Sequence, residues 1–314
     1  MKKPSETIVF FGSGPVAAKS LQFLASIFEI EAVVTKPRPT HHKGDFPVLD
    51  VVDELRLKKI TVTDKASLDE LINIERFKSK LGVIVDFGII VSQKVIDNFP
   101  LGILNSHFSL LPEWRGADPI SYAILSGQKQ TGVSVMLLVE KLDEGPLLAQ
   151  APFDIPSDFT TPQLTEALVD LSNQNLKFII PKWLNGEIEA MPQDKVTIAA
   201  SPKPSYSQKL SKDDGIIDWH KSAEVLEREI RAYIEWPKSR AKLADLDVII
   251  TEAHATPGQK KHDAPGKILV LNNGNDFAVT TGDGSLVIDK LKPAGKQDMT
   301  AKAFLAGYKN RLIK

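Results

Sequence analysis

The 314-residue sequence contains no cysteine. This absence excludes disulfide bonds, thiolate nucleophiles and zinc sites with cysteine ligands. Histidine and glutamate also lack the close helical spacing that is typical of zinc enzymes, so we predict that no metal is bound. Because a chain without disulfides suits a reducing compartment, we predict a cytoplasmic protein.

Long hydrophobic runs are lacking too. No stretch approaches the roughly 18 apolar residues that cross a bilayer, and Ile8–Phe11 near the N-terminus is too short for a secretion signal. We therefore expect no membrane partner, and we expect a monomer. The formal net charge is only −1. This value excludes a protein that coats nucleic acid nonspecifically, although a local basic patch is compatible with it.

The composition that remains is that of an ordinary globular protein. Apolar residues make up 42% and charged residues 25% of a chain long enough for two domains. Thr7–Phe11 is a short, β-rich apolar stretch; a glycine-rich turn, an amphipathic helix and a second strand at Glu31–Thr35 follow. Such a unit predicts a parallel sheet with right-handed crossovers. The predicted fold class is α/β: a doubly wound, mostly parallel, Rossmann-like sheet, followed by a smaller β domain.

The C-terminal third has a different pattern. Regularity fades over residues 189–207, where prolines are frequent, and short strand-like runs follow with a hairpin signal at Thr281–Ser285. Five or so short strands indicate a small OB-like β-barrel. We predict a Rossmann-like domain over residues 1–188, a linker over 189–207 and a C-terminal OB-like domain over 208–314.

The turn after the first strand matches a known phosphate-binding pattern. Gly12, Gly14 and Ala17 satisfy the dinucleotide motif G-x-G-x-x-A. In such sites the second strand ends in an acid that holds the ribose, whereas here it runs into Thr35 and Lys36. Pro15 also removes one backbone N–H that the turn would offer to a phosphate. Despite these two departures, the motif alone supports a dinucleotide-dependent oxidoreductase as an alternative.

The stretch LGILNSHFSLLP contains the strongest candidate site. Asn105 and His107 lie two positions apart at the end of an apolar run, so in a strand they project from the same face. The carboxyl ends of strands are where ligands bind in doubly wound sheets. Asp143 is an acid at the end of another apolar run. A histidine at a strand end is often only structural, and these residues alone leave the structural and catalytic interpretations open.

Four motifs between residues 105 and 145 occur in order: N-S-H-x-S-L-L-P, W-R-G-A-x-P-I, T-G-V-S and L-D-E-G. Together they resemble the signature of the folate-dependent formyltransferases. The resemblance implies transfer of a formyl group from 10-formyltetrahydrofolate to an amine through a tetrahedral oxyanion. It implies that Asn105 and His107 donate hydrogen bonds to the oxyanion and that Asp143 orients the imidazole.

The resemblance also implies a folate site. The family uses the loop after the fourth strand around the pterin ring, and the motif after His107 lies beside it. The residues that match are Phe87, Gly88, Ile89, Ile90, Ser109, Leu110, Leu111 and Pro112. One departure is the turn after the first strand, which is Gly-Ser-Gly-Pro here and of the Gly-Thr-Pro type in the family.

Segments near the C-terminus, KLSKDDGIIDW and LKPAGKQDM, resemble the family members that formylate methionyl initiator tRNA. In those members a basic insertion after the second strand enters the acceptor stem; here it is shortened and lacks its Arg-Gly-Lys-Lys core. The implied tRNA-binding residues are Lys36, Arg38, Lys43, Lys209, Lys212 and Lys296. Further basic candidates in the C-terminal domain are Arg228, Arg231, Lys290 and Lys292.

Other functions share parts of this pattern. An amino-sugar nucleotide formyltransferase, or an enzyme that acts on glycinamide ribonucleotide, would carry the same N-terminal motifs. A noncatalytic RNA-binding protein with a relic site is a further alternative. The C-terminal segments favour tRNA as the acceptor, and intact Asn105, His107 and Asp143 favour an active enzyme.

Overall fold

The computed structural model describes residues 6–38, 46–195, 198, 203–257, 264–272 and 275–312. Contacts divide the chain into two compact units. The first contains residues 1–119, 130–154 and 165–207, and the second contains residues 120–129, 155–164 and 208–314. The sequence-based domain limits assigned residues 120–129 and 155–164 to the first domain, whereas their contacts group them with the second unit.

A seven-stranded sheet forms the first unit. Its elements and their neighbours in the chain are β1 Thr7–Phe11, α1 Pro15–Ala25, β2 Glu29–Thr35, α2 Pro47–Glu54, β3 Lys59–Thr61, α3 Lys65–Ile74, β4 Gly82–Ile84, α4 Gln93–Ile96, β5 Ile103–His107, β6 Arg115–Gly116, α5 Pro119–Ser126, β7 Gln130–Leu137, β8 Leu147–Asp154, α6 Thr161–Leu184 and β9 Tyr206–Ser207. Helix α5 after Pro119 and residues 161–164 at the start of α6 belong to the second unit.

The strand order is β3-β2-β1-β4-β5-β7-β8. The first five strands are parallel, and β7 and β8 are antiparallel. The chain winds outward from β1 to β3 and then returns to β4, so the carboxyl ends of β1 and β4 flank the switch point where such folds bind ligands. The predicted doubly wound, mostly parallel sheet is confirmed.

Local chemistry explains where α3 begins and ends. Asp64 accepts a hydrogen bond from the backbone N–H of Ser67, whose hydroxyl in turn accepts from Asp64 N, and this capping box starts the helix at Lys65. The sequence of residues 68–80 predicts a helix over that whole range, whereas α3 ends at Ile74. The N–H groups of Lys78 and Ser79 instead donate to the carboxylate of Glu31, which draws the chain away from the helix axis.

The second unit contains an antiparallel sheet. Its remaining elements are α7 Ala223–Ala232, β10 Ser239–Leu243, β11 Leu246–Thr256, β12 Ile268–Leu271, β13 Asp276–Thr280, β14 Ser285–Pro293, β15 Met299–Thr300 and α8 Ala301–Leu312. The strand order is β10-β11-β14-β13-β12, and β15 pairs with β14. The hairpin predicted at residues 281–285 joins β13 to β14. Leu226, Ile230, Phe277 and Phe304 belong to the core of this unit, so the predicted second, β-rich domain is confirmed.

Candidate active site and nucleic-acid interface

The candidate site begins at the carboxyl end of β5, between β4 and β7. Ser106 points to one face of the sheet, where its hydroxyl lies 2.6 Å from that of Ser172 in α6. Asn105 and His107 therefore project from the other face. Asn105 is half-buried and its side chain forms no hydrogen bond within the described part of the chain, so its amide N–H groups are available as donors.

His107 is buried between two acceptors. Its Nε2 atom lies 2.9 Å from the carbonyl oxygen of Trp114, and its Nδ1 atom lies 3.7 Å from Oδ2 of Asp143. A carbonyl oxygen only accepts, so the Nε2 atom carries a proton and donates. In a neutral ring the Nδ1 lone pair then faces the carboxylate, whereas an imidazolium donates toward both oxygens. At 3.7 Å the Nδ1 atom faces the Asp143 carboxylate but lies beyond hydrogen-bond distance from it.

Asp143 lies in a tight turn after β7. Its φ angle is +52°, in the left-handed region, and its Oδ2 atom accepts a hydrogen bond of 2.7 Å from the backbone N–H of Gly116. The side-chain amide of Gln193 donates to the carbonyl oxygens of Asp143 and Gly145, at 2.7 and 2.9 Å. Both sides of the acidic turn are therefore tied to other segments of the first unit.

Arg115 supports the same turn. Its Nε and Nη2 atoms donate to Oε1 of Gln193 at 3.2 and 2.7 Å, and its Nη1 atom lies 3.3 Å from Oε1 of Glu144. The guanidinium is buried, so it acts from behind the turn. This arrangement gives Arg115 the role of a structural clamp.

Part of the predicted linker belongs to the site. The backbone N–H of Arg115 donates to the carbonyl of Ser205, and the N–H of Trp114 donates to the Ser205 hydroxyl, both at 2.9 Å. β9 then pairs in parallel with β6. Sequence reasoning missed Gln193 because no motif or periodicity marks it; the frequent prolines around it indicated only a connection.

The residues expected to contact folate fall into two groups. Gly88 and Ile90 are exposed and Ile89 is half-buried, whereas Phe87 is buried and contacts Phe11 edge-to-face at 5.7 Å between ring centroids. The four residues of the second stretch are buried: Ser109, Leu110, Leu111 and Pro112.

The second stretch is held from inside the protein. The Ser134 hydroxyl donates to the carbonyl of Ser109 and accepts from the N–H of Leu111, and Gln150 donates to the carbonyl of Leu111. The buried side chains of this stretch therefore shape the site from behind, whereas Gly88, Ile89 and Ile90 offer an accessible surface. Folate contacts at both stretches stay a prediction.

The turn after β1 is closed to a phosphate. The backbone N–H of Gly12 donates to the Val34 carbonyl, and those of Ser13 and Gly14 donate to the Asp86 carbonyl. A Cβ atom on Gly14 would lie 1.9 Å from Oδ2 of Asp86. The Asp86 carboxylate thus lies where a phosphate would approach, and the N–H groups of the turn are already hydrogen-bonded. This geometry argues against a dinucleotide at the turn.

Asp86 has an unusual electrostatic environment. Asp86 is an exposed residue, but the protein around its carboxyl desolvates the charged form and raises its pKa above the ordinary value of 3.8. The positive charge of Lys36 lowers this pKa, and the negative charge of Asp118 raises it. The pKa of Asp86 responds more to the amount of protein around the carboxyl than to the exposed area of the residue, because that protein excludes water that would stabilise the ionised form.

The predicted tRNA-binding residues of the first unit are partly engaged. Lys36 donates to the carbonyl of Gly88 at 3.0 Å. Arg38 pairs with Asp50 at 2.6 Å and lies over the ring of Phe46. Lys43 lies outside the described residues.

The basic residues of the second unit separate into two groups. Arg228 donates to the Leu125 carbonyl, Arg231 pairs with Glu227, and Lys290 pairs with Glu252. The others are exposed and form no ion pair with a described residue: Lys209, Lys212, Lys292 and Lys296.

A groove of about 740 Å³ opens on the second unit. Its lining includes the apolar side chains of Ile217, Trp219 and Val248 and the charged residues Arg240, Lys242, Lys292 and Asp247. The guanidinium of Arg240, one of the lining residues, donates to the carbonyl of Lys212. None of the predicted catalytic residues lines this groove.

Two further properties concern ligands and membranes. Within the described ranges, no cluster of three or more histidine, aspartate or glutamate side chains is arranged to hold a metal ion. In the same part of the chain, no helix combines the length and apolar character needed to cross a bilayer.

Comparison with family models identifies both halves of the chain. A model described as formyl transferase matches residues 27–179, and one described as the formyl transferase C-terminal domain matches residues 209–309.

Known relatives extend over nearly the whole sequence. A methionyl-tRNA formyltransferase of Roseiflexus castenholzii is 33% identical over 311 residues, which cover 96% of this chain and 96% of that protein. Another, from Pseudoalteromonas translucida, is 34% identical over 306 residues, covering 96% and 93%. An N-formyltransferase from Helicobacter canadensis, solved with folinic acid and dTDP-3-aminofucose, has a TM-score of 0.68 at 18% identity, covering 94% of this chain and 100% of that chain. This structure shows a shared fold.

Proposed function

The chain belongs to the formyl transferase family, and from this premise we propose that it transfers the formyl group of 10-formyltetrahydrofolate to the free amino group of methionyl initiator tRNA. The observation that carries the proposal is the similarity to methionyl-tRNA formyltransferases over 96% of the chain, which includes the C-terminal unit. The proposed reaction supplies formyl-methionyl-tRNA for translation initiation in the cytoplasm. We propose a monomer that needs neither a metal nor a membrane.

The chemistry requires donors at a developing negative charge. The methionyl amine attacks the formyl carbon, the formyl oxygen becomes an oxyanion, and the folate nitrogen leaves. Asn105 supplies an amide donor that no titration removes. One such donor is typically worth about 10² to 10³ in rate, or roughly 3–4 kcal/mol.

His107 and Asp143 act as a unit in this proposal. The Nε2–H group of His107 is a donor of the type that the oxyanion needs, and the formyl oxygen takes the place of the Trp114 carbonyl as its acceptor. The nearby carboxylate of Asp143 stabilises the charged imidazole. Asp143 also accepts the proton that the amine loses, through a water molecule, and this proton is returned to the departing folate nitrogen.

Substrate recognition is divided between the units. The accessible residues Gly88, Ile89 and Ile90 contact the pterin ring, and backbone groups of residues 109–112 complete that site. The exposed lysines Lys209, Lys212, Lys292 and Lys296 neutralise tRNA phosphates, which is the commonest type of protein contact with nucleic acid. Lys36 and Arg38 contribute near the acceptor end, and Arg38 exchanges its Asp50 partner for a phosphate.

A sugar nucleotide is the second candidate acceptor, since the structure with dTDP-3-aminofucose shares the fold. The decisive experiment incubates the protein with 10-formyltetrahydrofolate and either methionyl initiator tRNA or a panel of dTDP-amino sugars, and detects the formylated products by mass spectrometry. We expect formyl-methionyl-tRNA and no formylated sugar. Formylation of the sugars alone would refute the proposed acceptor.

A further inference from the structure

The side chain of Gln193 is the most completely engaged amide near the candidate site. It is buried, at 6% of its full exposure, and all four of its hydrogen-bonding positions are used. Two donors reach the carbonyl oxygens of Asp143 and Gly145, and its oxygen accepts from two nitrogens of Arg115. A linker that only joins two domains needs no such set of buried hydrogen bonds, so these contacts indicate that Gln193 has a role in the first unit.

We propose that Gln193 is a positioning residue for formyl transfer, which holds the Asp143 turn so that its carboxylate faces His107. This inference rests on the proposed function. Gln193 touches neither ring nitrogen of His107 and acts only through Asp143. None of the four motifs of the formyltransferase signature includes Gln193.

The geometry of the turn explains why a holder is needed. At Asp143 the backbone adopts the left-handed region, which a residue with a side chain enters only when its surroundings compensate. The N–H of Gly116 fixes the carboxylate of Asp143, but the backbone carbonyl of Asp143 depends on Gln193 for its hydrogen bond. If that donor is lost, two buried carbonyls lack a partner and the turn relaxes. The carboxylate then moves relative to the imidazole.

Arg115 completes this arrangement. Because its guanidinium binds the oxygen of Gln193, it orients the amide with its two N–H groups toward the turn. Its contact with Glu144 ties the same turn from a second point. Arg115, Gln193 and the acidic turn therefore form a continuous support behind Asp143.

The test uses a substitution that keeps the shape of the side chain. Gln193→Glu retains an acceptor for Arg115 but removes the donors to Asp143 and Gly145. Gln130→Glu, at an exposed position that starts β7, makes the same chemical change away from the site and serves as the control. Both variants and the unsubstituted protein are assayed with 10-formyltetrahydrofolate and methionyl initiator tRNA, and the folded fraction is measured by circular dichroism.

We expect the kcat of Gln193→Glu to fall about tenfold to hundredfold per folded molecule, because small displacements of catalytic groups cost this much. The KM for folate should change by less than about twofold, since ground-state binding is retained. Gln130→Glu should keep the kcat of the unsubstituted protein.

A double-variant cycle separates positioning from general stability. In an Asp143→Ala background, Gln193→Glu should cause little further loss of kcat, because its effect passes through the missing carboxylate. Unchanged kcat in Gln193→Glu, losses that multiply in the double variant, or a loss that only follows the folded fraction would each overturn the proposal. Failure of the unsubstituted protein to formylate any tRNA would instead reject the proposed function, and this inference with it.

Discussion

The Nε2 atom of His107 donates a hydrogen bond to the carbonyl oxygen of Trp114 across 2.9 Å. This contact fixes which ring nitrogen carries a proton, and it leaves Nδ1 on the side of Asp143. The ring is thus oriented from both sides before any substrate binds. Its donor already points to a carbonyl-type acceptor, which is the type of group that a formyl oxygen presents.

We predict that His107→Ala and Asp143→Ala each lower formyl transfer by about two orders of magnitude or more, which corresponds to roughly 2.7 kcal/mol in activation free energy. The cause is loss of the imidazole donor or of the carboxylate beside it. Steady-state kinetics with methionyl initiator tRNA measure the effect, and thermal unfolding shows whether each variant is folded. Near-normal turnover in a folded variant would remove that residue from the mechanism.

Asn105→Asp should be slower than Asn105→Ala. Alanine only removes a donor, at a cost of about 10²–10³ in rate, whereas a carboxylate also repels the oxyanion. The comparison of kcat for the two variants at one pH is sufficient, with folate binding by fluorescence as the control for site integrity. The reverse order of activities would contradict the role of Asn105 as an oxyanion donor.

Asp86→Asn should stabilise the protein at neutral pH. The folded state raises the pKa of Asp86, mainly by desolvation, so its ionisation favours the unfolded chain. Below the ordinary pKa of 3.8 both states are protonated and the group contributes nothing. As pH rises through the window between the ordinary and the raised value, the destabilisation develops, and it is complete above that window. Urea unfolding across this range should show the variant gaining stability over the unsubstituted protein as pH increases.

Asp64→Asn is a matched control with the opposite sign. Hydrogen bonds led by the backbone N–H of Ser67 lower the pKa of Asp64. The stability from its ionised form is therefore present above the ordinary pKa and lost as pH falls through the lowered value. The variant should lose stability relative to the unsubstituted protein at neutral pH and not in acid. The same pH trend for both substitutions would contradict these electrostatic assignments.

Lys292→Ala should weaken tRNA binding and reduce the slope of log K against log salt by about one, the value for one lost phosphate contact. Lys290→Ala is the matched control, since Lys290 lies two residues away on β14 and pairs with Glu252. It should leave the slope unchanged. Filter binding of initiator tRNA at several salt concentrations gives both quantities. Equal slopes for the two variants would argue against Lys292 as a phosphate contact.

Local patterns were sufficient to place two residues of the candidate site. The alternation of residues in β5 is enough to place Asn105 and His107 on one face, and the strand–helix order is enough to place that strand in a parallel sheet. The end of an apolar run marked Asp143 as a candidate, but its role beside His107, 36 positions away, was expected from the resemblance. The spacing of residues within a single strand or helix carries no information about a contact between residues so far apart in the chain.

The rest of the site depends on contacts that no local signal marks. Gln193 is 50 residues from Asp143 along the chain and lies among prolines that indicated a linker. Arg38 was expected to contact a tRNA phosphate, yet it pairs with Asp50, 12 residues later in the chain. Whether a charged residue is paired or available is decided by tertiary neighbours, and a sequence pattern shows only that it is charged.

The second unit also recruits segments that the sequence assigned elsewhere. Arg228 donates to the carbonyl of Leu125, Arg231 to that of Phe159, and the Thr161 hydroxyl to that of Ala232. Removing residues 208–314 would therefore leave these segments without their partners. Point substitutions at the exposed lysines are a better test of tRNA recognition than truncation.

Gly116 restricts how the loop beside His107 can be redesigned. Its φ angle is +107°, and a Cβ atom would lie 2.5 Å from the carbonyl oxygen of Ser207, while its N–H holds Asp143. The neighbouring residues Ala117 and Asp118 are exposed. Because the φ angle of Asp118 is +55°, libraries intended to broaden the range of acceptor amines should vary Ala117 freely, limit 118 to residues that tolerate the left-handed region, and leave 116 as glycine.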